Sequence, residues 1–357
     1  MLRAGKPGEG RATMPEQHSS INSVDWDPEQ DRADGTRGDG LRSAERFAEY
    51  ARLREQAPVA WSDQLGGFFT LTRYADVTAA AVDTKRFRSG RPFIAMPDLV
   101  GQIPISLNPP EHRFFRRLLN PFFRPERMRD LEPLIRAFAV EHVEALIEAG
   151  ESDAMTAFCR PLPARALATL LNLPEGAWQD LLAQFRRFDA VGWKPEQVNN
   201  MILGVFSEHI ATVVAQRMAE PLDPDDDMFS GALATEIDGE EITVEQVIMI
   251  GVQMIAAGHA TTADSLSSAI HRLAEDPDLQ SRLRADLTLL PDAIEEFIRI
   301  DPPLHELSRT PADVVDLHGR TLPDGSAVSL NLPRPTEIPR CSTVRTTWTS
   351  RATPTGI

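Results

Sequence analysis

Apolar residues recur at three- and four-residue spacing along most of the chain from Leu41 onward. The pattern predicts helices over Ala44 to Leu53, Met128 to Ile147, Ala164 to Leu173, Trp178 to Phe188 and Val198 to Met218. Short runs bounded by turn residues predict strands at Val59 to Trp61, Gly67 to Leu71 and Ala327 to Leu332. Thr243-Val244-Glu245-Gln246 is a capping-box pattern, in which the Thr hydroxyl and the Gln side chain each accept from the other's backbone N–H. It opens a helix expected from Val244 to about Leu273, apolar nearly all round in its middle, as a helix crossing the interior must be. Acidic breaks at Glu220 to Asp227 and at Asp238-Gly239-Glu240-Glu241 separate the blocks, and no repeat of fixed period appears. The fold class expected is mainly α with a small β-rich region.

Three short segments within this frame carry candidate chemistry. In Asn108-Pro109-Pro110-Glu111-His112, Asn108 is placed as N-cap, Pro109 at N1 and Glu111 at N3. On the helix that follows, Phe114, Phe115, Leu118 and Leu119 share a face, and His112 and Arg116, four apart, border it. That edge suits a flat apolar ligand with an anionic margin, since Arg and protonated His pair with carboxylates. Taken alone, the pattern reads first as a solvated basic edge beside a core stripe. In Ala257-Gly258-His259-Ala260-Thr261-Thr262, Gly removes bulk and the Thr hydroxyls can bond back to helical carbonyls, so a buried helix acquires a local defect. The plainer alternative is helix packing through small residues, with His259 in the core or at its rim. Glu296 and Arg299, three apart before Asp301-Pro302-Pro303, form a pair of a kind that is common on helices and worth about 0 to 1 kcal/mol when exposed.

Composition narrows the function. The chain has 357 residues, 42% hydrophobic and 25% charged, and its formal net charge of −16 argues against a nucleic-acid or anionic-membrane partner. Two cysteines, Cys159 and Cys341, exclude a disulfide framework and a Cys-rich zinc module. The most apolar window, Val247 to Gly258, falls short of the roughly 20 residues needed to cross a bilayer. Residues 1–40 lack the apolar core of a secretory signal and read as a disordered arm, with Met14 a candidate start, so a cytoplasmic location is expected.

Taken in order, Asn108 to His112 with Arg116, Ala257 to Thr262, Glu296 with Arg299, and Arg309 resemble the motifs of the bacterial soluble cytochrome P450 family, over about Ala44 to Leu332. The resemblance implies a triangular, mainly α fold enclosing haem. It implies that His112, Arg116 and Arg309 hold the propionates, and that Ala257 and Gly258 line the distal face. Thr261, with Thr262 beside it, would steer protons to dioxygen, and Glu296 and Arg299 would form a structural ion pair. Phe93, Met96, Leu99, Val100 and Ile103 become candidate contacts to an apolar small-molecule substrate. Arg113, Arg117, Arg124 and Arg127 become a docking face for a ferredoxin fed by an NAD(P)H-dependent reductase.

The chain departs from the family in two places. Ala260 stands where most members carry an acid before Thr261. The Phe-Gly-rich loop with the axial Cys is also absent: Cys341 sits in Pro339-Arg340-Cys341-Ser342-Thr343, and Cys159 reads as a buried helix-end thiol, so no metal ligand is assigned. The likeness stops after Ser329-Leu330-Asn331-Leu332, which leaves an incomplete domain over 41–332 and an unstructured tail over 333–357. A shifted reading frame accounts for the tail. Joining each codon's third base to the next two bases makes Trp348-Thr349 give Asp and Glu337-Ile338 give only Asp or Asn, while Cys341-Ser342 can give Phe or Leu. The recovered string resembles the family's approach to its Cys loop. Without that loop, haem is expected to bind weakly and monooxygenase activity to be impaired or lost. Two rivals remain: a non-catalytic helical protein that binds small molecules, and a metal protein using His259, His271 and His305.

Overall fold

The computed structural model describes residues 50–94, 102–174, 176–191, 201–237 and 239–332. The arm over 1–40, Met96, Leu99, Val100, Cys341 and the tail over 333–357 lie outside them. After a helical segment over 50–56 come strands β1 (Val59–Ser62) and β2 (Phe68–Leu71), helix α1 (Tyr74–Val82) and strand β3 (Phe87–Arg88). The helical body follows: α2 (Glu111–Leu119), α3 (Pro125–Ala149), α4 (Pro161–Leu170), α5 (Ala177–Val191), α6 (Ser207–Ala219) and α7 (Met228–Leu233). A two-stranded hairpin, β4 (Glu236–Ile237) and β5 (Glu240–Glu241), leads to α8 (Val244–Gly258), α9 (Ala260–Glu275), α10 (Pro277–Ala285) and α11 (Leu290–Ile300). Strand β6 (Glu306–Pro311), the hairpin β7 (Val315–Leu317) with β8 (Arg320–Leu322), and β9 (Val328–Asn331) close the described chain.

The main sheet runs β1-β2-β9-β6-β3, antiparallel except where β2 pairs parallel with β9. Two cores result. Ile103, Phe115, Leu118, Ile210, Phe229 and Ile250 belong to the helical one, whereas Phe69, Leu71, Phe87, Leu322, Val328 and Leu330 belong to the sheet. Helix α8 is central to the first. Its capping box forms as expected, with Gln246 N donating to Thr243 Oγ1 at 3.2 Å and Thr243 N to Gln246 Oε1 at 2.9 Å. Gly251 is required there, because a Cβ would stand 2.7 Å from both Ile210 and Phe229.

The structure revises three expectations. The single helix from Val244 is divided at His259 into α8 and α9, and of α9 only Ala263 is buried. Asn108 is not an N-cap: its carboxamide accepts from Ser89 N at 2.8 Å and donates to Ser89 O at 2.9 Å, and α2 begins at Glu111. A side chain that satisfies a distant strand end is unavailable to its own helix. Part of the segment expected as one helix to Met218 is a π-helical stretch, Met201–Phe206, ahead of α6.

Candidate functional site

The basic groups singled out in the sequence converge from two parts of the chain. His112 and Arg116 sit one turn apart on α2, and Arg309 extends from β6, donating Nη1–H to Ser308 O at 2.9 Å. Both arginines bear on His112: burial, then Arg116, then Arg309 push its imidazole below its ordinary value, and burial likewise lowers Arg309. These influences favour the neutral form of His112, and a carboxylate seated beside it would favour the charged one. Among the described residues neither Arg116 nor Arg309 has a carboxylate partner. A partly desolvated basic cluster with no internal counter-ion is a fitting seat for carboxylates.

The second component is the junction of α8 and α9. Thr261 Oγ1 donates to Ala257 O at 2.8 Å, Thr262 Oγ1 to Gly258 O at 3.0 Å and Ser265 Oγ to Thr261 O at 2.8 Å. These back-bonds are the local defect that the sequence implied. Ala257 and Thr262 are exposed and Thr261 half-buried, so the hydroxyls border open space. Gly258 faces the other way, where a Cβ would meet Leu167 at 3.2 Å. His259 is a core residue, 3% exposed. It is stacked on Phe185 at 3.7 Å between centroids, with Nε2 3.1 Å from Arg160 O.

The structure sorts the remaining candidates. Glu296, buried on α11, receives Arg299 Nε–H at 2.6 Å and a second bond from Nη2. Phe93 is half-buried, and Ile103 is packed into the helical core with Phe115 and Leu118. Arg113, Arg117 and Arg124 are exposed, and Arg127 donates to Asp225 O at 3.1 Å and to Asp226 O. The metal reading fails on geometry: His259 is engaged as above, His271 pairs with Glu275 at 3.4 Å, and no group of metal-holding side chains occurs among the described residues. Cys159 ends a π-helical stretch, Met155–Cys159, and is buried. Burial first, then Asp153 and Asp264, raise its thiol to about 11, so it is a protonated core residue rather than a thiolate ligand. Cys159 thus offers no axial sulfur within the described residues.

Periodicity missed the device that fixes the loop carrying Phe93. Ser308 N donates to Pro92 O at 2.8 Å and Ser308 Oγ to Arg91 O, while Glu306 accepts from Ile94 N at 3.3 Å and from Ser329 Oγ at 2.7 Å. The one signal was an acid in a strand otherwise destined for burial.

The chain is similar to known proteins in sequence and in fold. The family model described as Cytochrome P450 matches residues 166–335. Vitamin D(3) 25-hydroxylase of Pseudonocardia autotrophica is 30% identical over 300 residues, covering 79% of this chain and 71% of the relative. The Cyclomarin C epoxidase CymV of Salinispora arenicola is 30% identical over 303 residues, covering 82% and 75%. Among solved structures, a mutant of P450 EryK in complex with erythromycin B superposes with a TM-score of 0.72 at 26% identity, over 82% of this chain and 75% of that one. A carbohydrate active P450 gives 0.70 at 25% identity, over 79% and 74%.

Proposed function

The chain belongs to the cytochrome P450 family, whose members are haem monooxygenases acting on small molecules with the help of redox partners, and on that premise we propose how its own residues serve that chemistry. The observation that carries the reading is the meeting of His112, Arg116 and Arg309 without a carboxylate counter-ion among the described residues. These three hold the haem propionates, and Ala257 leaves room beside the ring. Haem, once bound and reduced, supplies the activation of dioxygen that puts one oxygen atom into a C–H bond and releases the other as water. Phe93 and Ile103 contribute apolar contacts to the substrate, with the loop of Phe93 held on β6 by Ser308 and Glu306.

Thr261 holds a proton at Oγ1 on the distal side. With Ala260 before it, the chain lacks the carboxylate that most members carry at that position to reload the hydroxyl, and delivery falls to water. Turnover is slow for this reason, and slower still if sulfur ligation is lacking, because Cys159 is protonated and enclosed. Electrons arrive from an acidic ferredoxin, itself reduced by an NAD(P)H-dependent reductase, that docks on Arg113, Arg117 and Arg124. A cytoplasmic setting accords with two cysteines and with the lack of a membrane-crossing helix among the described residues.

The reduced carbon-monoxide difference spectrum of the purified chain with added haem tests this account. A haem band without thiolate character is expected, and a full thiolate-type band would overturn the claim of impaired activity. The protonated state of Cys159 also favours a second reading, a binding protein that has lost the chemistry. Small-molecule binding with no haem absorbance would select it.

A further inference from the structure

Helix α8 buries Val247, Ile250, Gly251, Val252, Gln253 and Ile255, and Gln253 alone among them is polar. It is 7% exposed, and its Oε1 is buried with no hydrogen-bond partner among the described residues. An amide acceptor enclosed in an apolar environment is costly unless a donor reaches it.

The helix geometry says where that donor would come from. Gly251 faces Ile210 and Phe229, and Gly258 faces Leu167, so this side of α8 is closed by its neighbours. Gln253, two residues from Gly251, is turned by about 200° to the opposite side. Ala257 and Thr261 follow it at four and eight residues, on the side where Ala257 is exposed and Thr261 half-buried. The face is open at Ala257 and closed one turn back, over Gln253.

We propose that Gln253 is a specificity-determining residue whose Oε1 accepts a hydrogen bond from the substrate. The molecule bound is thus an apolar skeleton bearing a hydroxyl, amide N–H or ammonium donor. That donor sits about 6 Å along the helix from Ala257 and away from the carbon that is oxidised. The proposal rests on the monooxygenase reading and narrows its substrate class.

The test uses the full chain with haem added and two probes of matched shape, 1-adamantanol and 1-methyladamantane, titrated calorimetrically into the wild type, Gln253→Leu and Gln253→Glu. The ratio of the two dissociation constants is expected to shift toward 1-methyladamantane by about five- to tenfold in Gln253→Leu, the worth of one neutral hydrogen bond. In Gln253→Glu, which keeps an acceptor, the alcohol is expected to hold its advantage. Undiminished binding of 1-methyladamantane by Gln253→Leu shows that the variant is folded; if that variant does not fold, the Gln253→Glu ratio decides alone, and loss of the alcohol's advantage there overturns the proposal. A ratio unchanged within twofold in Gln253→Leu overturns the role of Gln253 while leaving the apolar site intact. If neither probe binds the wild type, the substrate reading and this proposal fall together.

Discussion

The two halves of the central helix, α8 and α9, have similar lengths and opposite surroundings. Helix α8 is capped at its start, packs Gly251 against Ile210 and Phe229, and buries six residues, four of them in the helical core. Helix α9 starts at a histidine with no side-chain cap and buries Ala263 alone. Propensity does not separate them: α9, with its Ala, Leu and charged residues, is the better intrinsic helix. Packing does, and the division falls at the segment where Thr261 and Thr262 turn their hydroxyls back on the helix. Rigidity on one side of the junction and accessibility on the other are what a site for a large planar ligand requires.

Substitutions at equivalent chemistry in the two halves would sharpen the contrast. Ile255, fully buried on α8, should cost about 2 to 5 kcal/mol when changed to Ala, whereas Ile270, half-buried on α9, should cost under about 1.5 kcal/mol by urea unfolding. Equal losses would break the comparison. Gly251→Ala must displace Ile210 or Phe229 and should cost about 1 to 3 kcal/mol, while Gly258→Ala meets only the end of Leu167 at 3.2 Å and should be nearly neutral. Thr243→Ala removes the cap that distinguishes α8, with an expected loss of about 1 kcal/mol and fraying visible by amide exchange.

Acidity should separate the basic cluster from both halves. The folded-state value of His112 lies below its ordinary 6.5, so the stability tied to its neutral form is complete above that value and is lost as pH falls through the depressed one. An anion seated beside it acts in the opposite sense, because binding draws a proton onto the imidazole. Carboxylate affinity should accordingly rise, and stability of the unliganded chain fall, as pH is lowered from 8 toward 6. Titrations of a dicarboxylate across that range, with His112→Asn as control, give a flat profile if His112 plays no part.

Much of this was written locally in the chain. The Thr243 capping box, the strands β1, β2 and β9, the Thr back-bonds and the Glu296–Arg299 pair each depend on residues within four positions or on short runs bounded by turn residues. What stayed hidden depends on distance in sequence. Asn108 is held by Ser89, Glu306 by a loop more than two hundred positions earlier, and His259 by Phe185 and Arg160. No periodicity encodes such partners. Gln253 was visible only as an interruption in an apolar run, and its consequence needed the burial of the carbonyl and the orientation of Gly251 to be seen.

The most direct test of the basic cluster is a comparison of haemin with its dimethyl ester, in which the propionate charges are gone, titrated into the wild type and Arg309→Leu. Haemin should bind the wild type at least about tenfold more tightly than the ester, and the advantage should shrink sharply in Arg309→Leu, as expected for a charge-assisted hydrogen bond. Equal binding of haemin and ester by the wild type, or an advantage untouched by Arg309→Leu, would contradict the assignment of His112, Arg116 and Arg309 as the propionate site.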